Sequence, residues 1–124
     1  MAGEITISLS VVGSNAGAVA SATDSDVIVM TGSNISSQTI TVAITSTTIP
    51  LGAVTVGGIM AIKNLSAGST IYFGNSVHAN LTNAIADSCI KIKYGETALI
   101  RTNSGVYYGW ANIAALAQIV CFDN

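Results

Sequence analysis

Hydrophobic and polar residues alternate with period two along much of the chain. Ile5, Ile7, Leu9 and Val11 alternate with Thr6, Ser8 and Ser10. Ile40, Val42 and Ile44 alternate with Thr39, Thr41 and Thr45, and Ile90, Ile92 and Tyr94 alternate with Lys91 and Lys93. Successive side chains of a strand point to opposite faces, so each run offers one apolar and one polar face, as a half-buried antiparallel strand does. Short β-branched or aromatic runs predict further strands over 27–31, 58–64, 70–73, 97–102, 106–111 and 117–122.

Turn residues separate these runs: Gly13-Ser14-Asn15, Gly32-Ser33-Asn34, Pro50-Leu51-Gly52, Gly57-Gly58, Ala67-Gly68-Ser69, Gly74-Asn75-Ser76, Gly95-Glu96 and Asn103-Ser104-Gly105. Eight or nine short strands at this spacing predict an all-β fold, an antiparallel β-sandwich, jelly roll or small barrel. Only 79–87 and 111–117 have room for a helical turn. No repeat or linker divides the chain, so residues 1–124 read as one domain. Within it, 1–26 reads as an N-terminal strand followed by an arm or loop, because 13–26 is only weakly patterned. The alanines at 16, 18, 20 and 22 and Val19 still suggest that this stretch lies against something apolar.

Composition adds a constraint. Half of the residues are hydrophobic but only 8% are charged, against about 25% in an average domain. Four basic residues, Lys63, Lys91, Lys93 and Arg101, in a chain of net charge −2 do not build a nucleic-acid-binding face. No apolar run reaches the roughly 18 to 20 residues of a membrane helix, so the mean hydropathy of +0.61 points instead to burial against neighbouring subunits. Polarity comes largely from 14 serines and 13 threonines, which protect poorly against association. The N-terminus lacks the basic and apolar regions of a signal peptide. Without export, Cys89 and Cys121 read as buried thiols rather than a disulfide, and the Asn34, Asn64 and Asn80 sequons carry no weight.

Candidate chemistry is sparse. His78 is the one histidine, with Asp87 and Cys89 following it, and nothing around Cys89 resembles an activated nucleophile. Asp24-Ser25-Asp26 is the one close acidic pair; it lacks the rest of a calcium loop and reads as a turn capping the strand at Val27. Glu4, Asp87 and Glu96 are too dispersed for a glycosidase pair to be argued. No phosphate-binding glycine motif occurs. The expectation is a non-enzymatic protein with no cofactor and no metal. Tyr107, Tyr108 and Trp110, with Tyr94 nearby, are the one conspicuous cluster. Alternation puts Tyr108 and Trp110 on one face and Tyr107 on the other. Core packing, interface anchoring and sugar stacking all remain open for them. Trp110 is expected to be at least three-quarters buried. Arg101, on an otherwise apolar strand, is expected to pair with a carboxylate or carbonyls in the fold or at an interface.

Residues 57–76 and 90–122 carry a resemblance. Lys63-Asn64-Leu65 before a small-residue turn, Phe73-Gly74 closing a strand, the Gly95-Glu96 turn, a strand bearing Arg101, the aromatic strand at Tyr107, Tyr108 and Trp110 and a last strand over 119–122 resemble small virion structural proteins of tailed bacteriophages. That resemblance implies a β-sandwich or jelly-roll capsid decoration (cement) protein on the virion surface, bound to the major capsid protein. A tail or head-fibre module that binds a receptor or carbohydrate is the alternative. Strands such as 5–11 and 39–45 have no Lys, Pro or inward charge guarding their edges, which predicts a homo-oligomer. The choice of a trimer comes from the resemblance and the three-fold positions of icosahedral shells.

Overall fold

Four of the antiparallel pairings nest inside one another. In the computed structural model, which describes residues 4–15, 18–29, 34–54, 58–75, 90–102 and 106–123, the strands are β1 (Glu4–Asn15), β2 (Ala18–Val29), β3 (Ile35–Val42), β4 (Thr47–Thr48), β5 (Ile59–Asn64), β6 (Thr70–Gly74), β7 (Ile90–Lys93), β8 (Thr97–Arg101), β9 (Tyr108–Ala111) and β10 (Ala115–Phe122). β6 pairs with β7, β5 with β8, β4 with β9 and β3 with β10, the geometry of one long antiparallel ribbon. Two further pairings, β10 with β5 and β9 with β6, roll that ribbon up. The result is two four-stranded sheets, β3-β10-β5-β8 and β4-β9-β6-β7. This all-β, antiparallel, two-sheet arrangement is that of a jelly roll.

The alternation read from the sequence fills the space between the sheets. Val42, Met60, Ile62, Ala115, Ala117, Ile119 and Cys121 from the first sheet meet Ile71, Phe73, Ile92 and Ala111 from the second, with Ile49, Val54 and Tyr107 from connecting segments. Each fully buried aliphatic side chain contributes roughly 1.5–3 kcal/mol. Small residues let the larger ones in: Gly109 sits on the inner side of β9, where a Cβ would come within 3.1 Å of Ile49 Cδ1 and 3.2 Å of Val42 Cγ1.

By its internal contacts the chain divides into two units, Met1–Ser33 and Asn34–Asn124. The first is the β1–β2 hairpin, whose register runs from Glu4 opposite Val29 to Asn15 opposite Ala18. The weakly patterned stretch expected to leave room for an arm or loop is therefore largely strand. Asp24 and Asp26 lie inside β2, opposite Leu9 and Ile7, and form no turn. Alternation was hard to read there because the residues facing the apolar row of β1 include aspartates and alanine rather than large aliphatics.

Smaller differences have local causes. β3 ends at Val42, short of the expected Thr45. The chain bends at Ile44 and Thr45 to change sheets, and Thr47 Oγ1 steadies the bend by accepting from the Ala43 N–H at 3.0 Å. β7 stops before Tyr94, because Gly95 takes φ +79° and Glu96 Oε2 accepts from the Lys93 N–H at 2.8 Å. Residues 111–117 hold no helical turn; β9 runs into a bend at Asn112 and Ile113 and then into β10. The possible turn over 79–87, with His78, Asn80, Asp87 and Cys89, lies outside the described residues, as do the breakers at 32–33, 57, 76 and 103–105.

Candidate interaction surface

The late aromatics, Tyr107 just before β9 and Tyr108 and Trp110 within it, alternate between the two faces of the sheet. Tyr107 is buried in the core and its ring stacks on Phe73 with centroids 5.5 Å apart and planes 6° from parallel. Tyr108 and Trp110 point to the other side of the sheet, their rings 6.2 Å apart and tilted by 42°. Trp110 shares a cross-strand row with Tyr72 and Lys91, and the Lys91 ammonium lies 6.0 Å above the Tyr72 ring. Trp110 is only 1% exposed, so its burial is reached within the chain itself. Neither Tyr107 nor Trp110 presents a ring for a sugar to stack on; Tyr108 is half-buried and Tyr94 exposed.

Arg101 ends the edge strand β8 with its side chain exposed. Among the described residues no hydrogen bond or ion pair holds its guanidinium, so the pairing expected of it is not made there. Its cross-strand row runs through Ile59 and Phe122 to Ile35, and the next row holds Leu99, Ala61, Val120 and Ser37. These residues alternate with the core-facing Met60, Ile62, Ile119 and Cys121, so the outer face of this sheet is apolar at one end. Ile35 is 59% and Leu99 49% exposed.

Two polar clusters were not singled out from the sequence. Asn64 is fully buried. Its Nδ2 donates to the carbonyls of Ser69 (3.2 Å) and Ile92 (3.1 Å), and its Oδ1 accepts from the Ser66 N–H (3.0 Å) and the Ser69 hydroxyl (3.1 Å). The side chain thereby pins the turn after β5, where Gly68 takes φ +76°, and ties β5 to β7 of the opposite sheet. The signal available was Asn64 followed by Ser66, Gly68 and Ser69, a spacing suited to a side-chain-organised turn. Asp123 closes the other end: its Oδ2 accepts from the Asn34 Nδ2 (2.8 Å) and backbone N–H (3.3 Å). Its backbone N–H donates to the Asn34 carbonyl at 3.0 Å. The Asp123 Oδ1 is buried and accepts no hydrogen bond among the described residues.

Among the described residues there is no group of three or more His, Cys, Asp or Glu side chains placed to hold a metal ion. Cys121 is a free, buried thiol, and burial pushes its pKa up to about 11, which keeps it protonated and unreactive at neutral pH. The hairpin offers a different surface. Leu9, Val12, Val27 and Val29 are each more than half exposed. A shallow open hollow at its middle is lined by Ser8, Leu9, Ser10, Thr23, Asp24 and Ser25. The chain matches no family model, no curated protein and no solved structure.

Proposed function

We propose that the protein is a non-enzymatic virion component, a capsid decoration protein that binds the major capsid protein and stabilises the shell as a homo-oligomer, a trimer by preference. The observation that carries this reading is a charge-poor, hydroxyl-rich surface on which large aliphatics stand exposed. Ile35, Leu99, Leu116 and Ile113 are 59, 49, 48 and 61% exposed on a sandwich whose own core is already filled. Serine and threonine cost little to desolvate compared with Lys or Glu, so such a surface favours association over solubility. The jelly-roll topology and the turn motifs around Asn64 and Glu96 support the same class. Shell stabilisation follows from multivalency, in which modest contacts engaged together add up.

The test is sedimentation of the purified protein with shells assembled from the major capsid protein of the same virion. Saturable co-sedimentation and a raised shell melting temperature are expected. Failure to pellet at saturating protein would overturn the shell reading; binding to isolated tails or to glycans instead would assign the fibre role.

A further inference from the structure

The two units differ in charge. Residues 1–33 contain three carboxylates (Glu4, Asp24 and Asp26) and no Lys or Arg; residues 34–124 contain all four basic residues and three acids. On the hairpin the acids are not scattered. Register places Asp26 opposite Ile7 and Asp24 opposite Leu9, so one face carries an apolar row with an acidic row beside it, and Asp24 lines the open hollow. On the sandwich, the outer face of β3-β10-β5-β8 shows the reciprocal arrangement. Exposed Ile35 and Leu99 and half-buried Phe122 and Val120 form an apolar patch around Ile59, which is itself already buried, with exposed Arg101 at its edge and no partner for it among the described residues.

We propose that the chain self-associates by arm exchange: the Ile7/Leu9–Asp24/Asp26 face of one copy's hairpin seats on the outer β3-β10-β5-β8 face of the next copy, whose Arg101 pairs with Asp24. Three arguments select a second copy as the occupant. The surfaces are complementary in both apolarity and charge, whereas hairpin against hairpin sets acid against acid. A two-stranded ribbon with open edges is marginally stable by itself and gains from a sheet to lie on. An Arg fork satisfies both oxygens of a carboxylate, which fixes register as well as affinity. Because donor and acceptor surfaces differ, the contact is heterologous and closes into a ring when the rotation permits. This specifies the homo-oligomer of the proposed function without relying on shell binding.

Light scattering on the full chain tests it. The parent protein is expected to be oligomeric. Arg101→Glu and Asp24→Arg are each expected to weaken association at least ten-fold while the thermal transition of the sandwich persists. Combining both substitutions in one chain is expected to restore the parental mass, since every contact then carries the charge-swapped pair. Single variants that keep the parental mass, or a double variant that stays monomeric, would overturn arm exchange. A parent that is monomeric yet pellets with shells would overturn arm exchange and leave the shell reading standing; an oligomer that obeys the charge swap but ignores shells would do the reverse.

Discussion

The hairpin and the sandwich are written in the same alternating pattern but resolve it differently. In the sandwich, the apolar side of β5 and β10 meets a second sheet, and Met60, Ile62 and Ile119 fall to 1% exposure or less. In the hairpin the sheet has only two strands; Ile5 is buried, but Leu9, Val12, Val27 and Val29 remain more than half exposed. Period two therefore announces a strand without saying what covers it. The sandwich supplies its own cover from eight strands of one chain, whereas the hairpin presents a surface of the kind that a partner buries.

That contrast can be broken at several points. The largest effect is expected at Trp110: replacement by Ala removes a buried indole from the Tyr72–Tyr108 surface and should cost about 3–5 kcal/mol by denaturant unfolding. Asn64→Ala leaves the Ser69 and Ile92 carbonyls short of a donor inside the fold and should cost about 3 kcal/mol. A loss under about 1 kcal/mol would mean that Asn64 does not pin the two sheets. Both substitutions act on the self-sufficient unit.

A smaller effect follows from Cys121. Its thiol is pushed up to about 11 from an ordinary value of 9.0. Between those pH values the folded chain keeps a proton that the unfolded chain has released. The stabilisation is complete below about pH 9 and is lost as pH rises towards 11, by roughly 2 kcal/mol. Unfolding of the parent and of Cys121→Ala, compared from pH 8 to 11, should show the steeper decline in the parent; equal slopes would contradict the assignment. The smallest effect belongs to the hairpin: Leu9→Ser should change sandwich stability by less than about 0.5 kcal/mol while weakening self-association.

Most of the sandwich was legible because its strands combine strong alternation with turn residues. β5, β6, β8 and β9 fall where the β-branched runs and their flanking glycines put them, and the split of Tyr107 from Tyr108 and Trp110 followed from parity alone. β2 was not legible through Asp26, because strand readings depend on hydrophobic contrast and its alanines, serines and aspartates provide little. The two-residue β4 was too short to leave a pattern. At the candidate surface, the sequence singled out Arg101 but not its apolar row, since Ile35, Ile59, Phe122 and Arg101 come together only through the non-local pairings of the roll. The Asp123 contact was hidden for a related reason, since its partner Asn34 meets it only where distant segments come together; Asn64 bonds mostly to the nearby Ser66 and Ser69, and only its bond to the Ile92 carbonyl depends on how distant strands meet.

The most direct test of the central claim is amide hydrogen exchange followed as a function of protein concentration. The amides of the β5–β10 ladder should be strongly protected at every concentration, and those of the β1–β2 ladder should gain protection in step with association. A hairpin as slow to exchange as the sandwich in a dilute, monomeric sample would contradict the account, because the hairpin would then need no partner.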